Sequence, residues 1–111
     1  MTENSGFVTD LVLEMRRLSL VAGREILKIY HSGELGIKTK SDASPVTKAD
    51  KDADAIISSG LQKSFRDIPL ITEEQAQSHD KSYDRFLIVD PLDGTKEFIN
   101  KRSEFTVNIA L

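Results

Sequence analysis

The stretch FLIVDPLDGTKEFI, residues 86 to 99, constrains the fold of this chain more than any other part of its sequence. An apolar run with the length of a β-strand ends at Asp90, and a proline, a second acid, a glycine and a threonine follow it within five positions. A chain reversal needs only one or two special residues, and this stretch carries more polar groups than that. The sequence therefore leaves two interpretations open, a turn between two strands or a site at the end of a strand.

The turn interpretation rests on Asp93-Gly94, because Asp-Gly is a strong short-range signal for a β-hairpin. In that case the chain would be a non-catalytic α+β interaction module. An EF-hand calcium loop fits poorly, because its second position counted from Asp90 is Pro91 and its twelfth is Lys101 rather than glutamate. The site interpretation depends on what the rest of the chain brings to the same place.

Two amphipathic helices are predicted upstream. Apolar residues recur at spacings of three and four within residues 9–31 and form one stripe, namely Leu11, Met15, Leu18, Ala22, Ile26 and Ile29. A second helix is predicted to begin at Thr47, whose side chain can cap the amide of Asp50. Its inner face is predicted to contain small and aliphatic residues that allow a close approach to the first helix, namely Ala49, Ala53, Ile56, Gly60 and Leu61.

Four segments are predicted to be strands, namely LGIKTK (35–40), PLIT (69–72), RFLIVD (85–90) and FTVNIAL (105–111). The run at 85–90 is almost wholly apolar, which favours a strand buried on both faces. KEFIN is predicted to be a short helical turn, and the polar residues 75–84 a loop. The element order predicts an α+β fold in which two amphipathic helices pack on a mainly antiparallel sheet, in one domain spanning residues 1–111.

Composition excludes several classes of function. The net charge of −3 gives no basic surface for nucleic acid and no polybasic patch for a membrane. Cysteine is absent, which excludes disulfides and thiolate metal sites, and the apolar runs are shorter than the ~20 residues of a membrane span. The polar, acidic N-terminus does not resemble a secretory signal, so we expect a cytoplasmic protein. The two histidines, His31 and His79, are expected to face solvent rather than bind a metal.

The chain ends at Leu111, inside a predicted apolar strand and without a polar tail. Natural termini are usually polar and lie at the surface, so we expect this sequence to be the first part of a longer protein. A sheet that stops at this point exposes an apolar strand edge, which predicts self-association through that edge.

Two of the predicted strands end in acids, PLIT at Glu73-Glu74 and FLIV at Asp90. If these strands are neighbours, Glu73 and Asp90 emerge at the same edge of the sheet, and Asp93 follows three positions later. Carboxylates ~4 Å apart repel each other by about 4 kcal/mol per pair at an effective dielectric constant of ~20. Mg²⁺, a hard cation that takes oxygen ligands, would remove this repulsion, and the carbonyl of Leu92 can add a further oxygen. Taken alone, a Glu-Glu pair is more often simply solvated.

Gly94 and Thr95 extend the prediction from a metal to a phosphate. Glycine allows a sharp turn, and if a helix begins at Thr95 the amides of Gly94, Thr95 and Lys96 are free to bind an anion. The Thr95 hydroxyl can orient an attacking water if an acid accepts its proton. Asp50 is the candidate for that acid, although a lone aspartate there is more often only a helix-terminus charge. A metal beside an anion site indicates phosphate chemistry.

The stretch DPLDGTKEF, residues 90–98, resembles the metal-binding signature of the inositol monophosphatase-like superfamily of Mg²⁺-dependent, lithium-sensitive phosphatases. That signature reads Asp-Pro-(Ile/Leu)-Asp-Gly-Thr, followed after two residues by an aromatic residue. SPVTKAD (44–50) and ITEE (71–74) resemble two further segments of the family in order and rough spacing. DGTKEF, together with EFTVNIAL (104–111), is most similar to the 3′(2′),5′-bisphosphate nucleotidase branch, the CysQ type, and the resemblance covers essentially the whole chain.

The resemblance implies a metal-binding role for four residues. Glu73, Asp90 and the carbonyl of Leu92 would hold the metal ion that activates a water, and Asp90 and Asp93 would share in a second ion. Glu74 would support these ligands from behind.

The resemblance also implies the catalytic residues Asp50, Glu73 and Thr95. Thr95, paired with Asp50, would help to deprotonate the attacking water, and Glu73 would assist. The amides of Gly94 and Thr95 would hold phosphate oxygens. The implied fold is the layered α/β sugar-phosphatase fold, of which this chain would be the N-terminal half.

The activity that the resemblance implies is removal of the 3′-phosphate from adenosine 3′,5′-bisphosphate, a by-product of sulfate activation and sulfotransfer. It implies a small phosphorylated nucleotide as substrate, two or more Mg²⁺ ions in the full-length protein, and inhibition by Li⁺. Family members are much longer, and their C-terminal half supplies another metal-binding aspartate and most substrate contacts. We therefore expect little or no turnover from these 111 residues alone. The alternative within the family is an inositol-1-phosphate phosphatase.

Overall fold

The computed structural model describes residues 2–39, 45–75, 83–102 and 104–111. The elements follow one another as α1 (Thr2–Ser32), β1 (Lys38–Thr39), β2 (Pro45–Val46), α2 (Lys48–Ser64), β3 (Leu70–Thr72), β4 (Leu87–Asp93), α3 (Thr95–Ile99) and β5 (Thr106–Ala110). This order confirms the predicted α+β class. Most of the predicted loop at 75–84, including His79, lies outside the described residues, whereas His31 is exposed as expected.

The described strands form one antiparallel pair, β1 with β2, and one three-stranded sheet in the order β3-β4-β5. In the three-stranded sheet β4 runs parallel to β3 and antiparallel to β5, so this sheet is mixed where the sequence predicted a mainly antiparallel one. The parallel pairing matters for the site, because β3 and β4 then point their carboxyl ends toward the same end of the sheet.

Helices α1 and α2 pack against each other through the predicted stripe and the small residues of α2. Gly60 permits this contact, since a Cβ placed there would lie 2.8 Å from Leu18 Cδ1, inside van der Waals contact. The prediction of a close approach is therefore confirmed. The phase of α2 differs slightly, because Ile57 rather than Ile56 is fully buried.

The central strand β4 is buried on one face only, and the expectation of a strand covered on both faces was wrong. Leu87 and Val89 are buried beneath α2, but Ile88 between them is 47% exposed. Within the described residues the helices cover a single face of the sheet, so an apolar run can still present alternate residues to solvent.

An aromatic cluster of Tyr30, Phe98 and Phe105 anchors the short helix α3 against the C-terminal turn of α1. The ring centroids lie 5.3–5.4 Å apart, and Phe98 is fully buried. Lys101 donates a hydrogen bond to the carbonyl of Tyr30 and lies over its ring. These contacts fix α3, and with it the residues that precede Phe98.

Among the described helices, none combines the length and apolar character that crossing a membrane requires.

Candidate active site

Asp50 and Thr95, which the sequence linked only as a hypothesis, are in direct contact. The Thr95 hydroxyl donates a hydrogen bond to Asp50 Oδ1 at 2.8 Å, between residues 45 positions apart. The same hydroxyl lies 3.4 Å from the carbonyl oxygen of Leu92. The carboxylate of Asp50 is completely buried. A buried carboxylate is stable only when its oxygens are hydrogen-bonded, and Thr95 supplies one of these bonds.

The other oxygen of Asp50 is held by Thr47 at the start of α2. The backbone amide and the hydroxyl of Thr47 donate to Asp50 Oδ2 at 2.8 and 2.6 Å, and the Asp50 amide is 3.4 Å from the Thr47 hydroxyl. This is a complete capping box, with Asp50 at the third helical position. The sequence predicted the cap on the Asp50 amide. It missed the return contact, which the spacing Thr-x-x-Asp could have indicated.

Strand register puts Glu73 beside Asp90. Thr72 pairs with Val89 in the parallel β3–β4 ladder, and the Glu73 amide donates to the Val89 carbonyl at 3.0 Å. Glu73 and Asp90 are each the next residue along their strands, so both side chains emerge at the carboxyl edge of the sheet. Glu73 is exposed and Asp90 is half-buried. The backbone register therefore places Glu73 and Asp90 on neighbouring strands at matching positions, as the sequence predicted.

A bulge in β4 brings Asp90 and Asp93 to the same face of the sheet. Residues three apart on a regular strand point to opposite faces. Here Asp90 pairs with Asn108 and Asp93 with Thr106, so three steps on β4 correspond to two steps on β5. The one extra residue, within Pro91-Leu92, restores the common face, and Pro91 and Leu92 are buried in the core. Proline fits this position because a bulged residue need not donate to the ladder.

Gly94 begins the helix rather than closing a hairpin. Its backbone has φ of +96° and it caps α3 without a side-chain hydrogen bond. A Cβ at this position would lie 2.7 Å from the carbonyl oxygen of Glu104, so only glycine fits the space and the conformation together. The interpretation of residues 90–95 as a simple strand reversal is therefore wrong, because β4 continues to Asp93 and α3 follows before β5.

The side chains of Glu73, Asp90 and Asp93 are not grouped closely enough to surround a metal ion by themselves. Within the ranges that the structure describes, no three His, Cys, Asp or Glu side chains make a group that could hold a metal ion. The chemistry of these groups nevertheless fits a hard cation, because carboxylates and the Leu92 carbonyl offer oxygen atoms, the donors that Mg²⁺ prefers. Mg²⁺ commonly uses one or two carboxylates and keeps several waters. Glu74, predicted to support the ligands, is half-buried beside Glu73.

A second buried carboxylate, Asp54, lies one helical turn after Asp50 and was not among the predicted site residues. Asp54 Oδ1 accepts a hydrogen bond from the Ser58 hydroxyl at 3.2 Å. Asp54 Oδ2 accepts one from Gln75 Nε2 at 2.9 Å, and this nitrogen also lies 3.3 Å from Ser58 Oγ. The pattern Asp-x-x-x-Asp-x-x-x-Ser places all three α2 residues on one helical face, and that periodicity was the available signal.

Comparison with known proteins identifies a family for this chain. The family model described as "Inositol monophosphatase family" matches residues 10–111. The 3′(2′),5′-bisphosphate nucleotidase CysQ of Escherichia coli O157:H7 is 43% identical over 98 residues, which cover 86% of this chain and 40% of that protein. The chain thus spans about 40% of the length of this curated relative.

Two solved structures show the same fold. CysQ from Bacteroides thetaiotaomicron superposes with a TM-score of 0.69 at 38% identity, covering 91% of this chain and 37% of that one. An IMPase from Thermotoga maritima gives a TM-score of 0.78 at 25% identity, covering 91% and 39%. The fold described above is therefore that of the N-terminal part of these proteins. With the family model matching nearly its whole length, the chain belongs to the inositol monophosphatase family.

Proposed function

We propose that this chain carries the metal-binding and water-activating residues of a Mg²⁺-dependent phosphomonoesterase that removes the 3′-phosphate of adenosine 3′,5′-bisphosphate. The observation that carries the proposal is the 2.8 Å hydrogen bond from the Thr95 hydroxyl to the buried carboxylate of Asp50. Thr95 begins α3 directly after β4, the strand that bears Asp90 and Asp93, so the bond ties the first turn of α2 to the end of that strand.

Thr95 and Asp50 act as a proton relay in this proposal. A threonine hydroxyl has one proton and two acceptor lone pairs. Because Thr95 directs its proton to Asp50, the lone pairs remain to accept a hydrogen bond from a water. As this water forms its bond to phosphorus, its proton passes to Thr95 Oγ1 and the threonine proton passes to Asp50 Oδ1. The bond from phosphorus to the 3′ oxygen breaks and that oxygen takes a proton from a second water, and the proton held by Asp50 returns through Thr95 to the hydroxide left behind.

Glu73, Asp90 and the carbonyl of Leu92 would hold one Mg²⁺ ion, and Asp90 and Asp93 would share a second. Bound Mg²⁺ makes a water more acidic and offsets the negative charge of the phosphate. The contribution of the chain is geometric, since the parallel register keeps Glu73 beside Asp90 and the bulge keeps Asp93 on the same face. Glu73 also assists in accepting the water's proton, and Glu74 supports it.

The amides of Gly94 and Thr95 would bind phosphate oxygens at the start of α3. Gly94 contributes no side-chain cap, so its positive φ turns the backbone without covering the first turn of the helix. The aromatic cluster beneath α3 holds this turn in place. A phosphate bound by these amides would thereby lie next to the Thr95 hydroxyl.

The choice of substrate rests on sequence similarity. Identity is 43% to the Escherichia coli nucleotidase and 38% to the Bacteroides CysQ, compared with 25% to the Thermotoga IMPase. The second candidate, an inositol-1-phosphate phosphatase, is favoured by the higher TM-score of 0.78 to that IMPase. A cytoplasmic location, inhibition by Li⁺ and self-association through the β5 edge belong to the same proposal.

Metal binding is tested directly on the 111-residue chain. Addition of Mg²⁺ or Mn²⁺ is expected to raise the thermal midpoint, because a ligand that binds only the native state stabilises it by mass action. Asp90→Asn should remove most of that increase, whereas Asp84→Asn, an exposed acid on the preceding loop, should not. An unchanged midpoint in the wild type at millimolar metal contradicts the proposed metal site.

Activity is tested in a chimera that joins this chain to the remaining part of the Escherichia coli relative, because the chain alone is expected to have little or no turnover. The chimera should release phosphate from adenosine 3′,5′-bisphosphate, and Li⁺ should inhibit it. Thr95→Val should lower kcat by about 10²–10⁴-fold, the usual contribution of a proton-transfer group. A folded chimera that releases no phosphate contradicts the proposed catalytic role, and the choice between the two substrates is decided by comparing both on the full-length protein.

A further inference from the structure

Helix α2 contacts both sides of the candidate site with carboxylates on successive turns. Asp50 binds Thr95, at the start of α3, and Asp54 binds Gln75, which follows β3. The water-activating function uses Asp50 but leaves Asp54 without a role. Asp54 is only 6% exposed, and burying a carboxylate is costly unless its oxygens are hydrogen-bonded.

The partner of Asp54 closes the turn that carries the two predicted glutamates. The Gln75 amide donates to the Thr72 carbonyl at 3.3 Å, so Glu73 and Glu74 occupy the two central positions of a β-turn. Glu73 is tied to β4 through its amide, which donates to the Val89 carbonyl. The side chain of Gln75 is tied to α2 through Asp54 and Ser58. The turn is therefore attached to the sheet on one side and to the helix on the other.

We infer that Asp54 is a positioning residue. With Ser58 it holds the side-chain amide of Gln75, and it thereby fixes the position of the Glu73-Glu74 turn at the carboxyl end of β3. This inference rests on the proposed metal-binding role of Glu73. The side-chain NH₂ group of Gln75 is a donor, so the α2 residue that faces it has to offer an acceptor, and Asp54 does so. Ser58 adds a second contact, which fixes the orientation of the Asp54 carboxylate. Asp54 acts through Gln75 on the direction of the Glu73 side chain and does not itself bind the metal.

The test is Mn²⁺ affinity, measured by titration of the 111-residue chain. Asp54→Ala removes the acceptor, and Gln75→Glu replaces the donor with a second carboxylate, so each should weaken Mn²⁺ binding about 10–100-fold, as loss of ligand support does elsewhere. The double variant Asp54→Asn with Gln75→Glu reverses donor and acceptor and should recover most of the affinity. Recovery on reversal is the result that a general loss of packing does not give.

Two controls separate positioning from stability. Ile57→Val lowers the stability of α2 from within the core and should leave Mn²⁺ affinity unchanged. Asp52→Asn removes a charge from the same helix, where Asp52 pairs with Lys48 at 2.6 Å, and should also leave it unchanged. The inference is overturned if Asp54→Ala binds Mn²⁺ as tightly as the wild type, or if Ile57→Val weakens binding equally.

A wild-type chain that binds no Mn²⁺ would count against the proposed function itself. The positioning inference is then decided by hydrogen exchange at the amides of Glu73 and Gln75. Asp54→Ala should accelerate exchange at both amides well beyond any acceleration in Ile57→Val. Equal exchange in the two variants overturns the inference independently of the metal.

Discussion

The hydroxyl of Thr95 and the buried carboxylate of Asp50 are joined by a hydrogen bond of 2.8 Å across 45 residues of chain. This bond links α3, which begins directly after β4, to the first turn of α2. It can be tested through stability as well as through activity, because the chain alone carries both partners.

Replacing Thr95 with valine should lower the free energy of unfolding by about 1–3 kcal/mol, because Asp50 Oδ1 then stays buried without this donor. Thr95→Ser keeps the hydroxyl and should lose much less. Urea denaturation of both variants measures the difference. Equal stability of the valine and serine variants would mean that the hydrogen bond contributes nothing to the fold.

Asp50→Asn should destabilise the chain by about 2–4 kcal/mol, since an amide group then faces donors on both sides. Thr47 donates twice to one oxygen and Thr95 once to the other, so no orientation of asparagine accepts from all three. Asp52→Asn on the same helix, which breaks only a surface ion pair, is the matched control and should change stability little. A loss no greater than that of the control would contradict the role of the buried network.

Two glycine-to-alanine variants should move stability in opposite directions. Gly94→Ala introduces a Cβ at positive φ and 2.7 Å from the Glu104 carbonyl oxygen, and should cost about 1–3 kcal/mol. Gly23→Ala lies in the interior of α1 with no heavy atom within 4 Å of the new Cβ, and should stabilise the chain by about 1 kcal/mol. Thermal melts of the two variants give the signs. A neutral Gly94→Ala would show that this turn adjusts freely.

The contact between α1 and α2 can be measured as a coupling between Gly60 and Leu18. Gly60→Ala forces its Cβ against the Leu18 side chain and should cost about 1–3 kcal/mol. Leu18→Ala leaves a cavity and should cost about 2–5 kcal/mol. In the double variant the new methyl occupies part of that cavity, so the total loss should be smaller than the sum. Strict additivity of the two losses would contradict the direct contact.

Much of the fold was predictable because it depends on local chemistry. The apolar stripe of α1 follows from spacings of three and four, and the start of α2 follows from a capping residue at Thr47. The acids that follow β3 and β4 were also visible, because the strands before them are apolar. Even the pairing of Asp50 with Thr95 could be anticipated as a hypothesis, since a hydroxyl that is to orient a water needs an acceptor for its own proton.

The sequence by itself determined most of the helices and strands, although not β2, and which residues carry carboxylate and hydroxyl groups, because periodicity, capping and side-chain type are local properties. Only the tertiary structure decided that β3 and β4 run parallel, that a bulge turns Asp90 and Asp93 to one face, that Ile88 faces solvent, and that Asp54 holds Gln75. These features depend on contacts between residues distant in the chain. The free energy of such contacts is set by packing and register, which no single stretch of sequence contains.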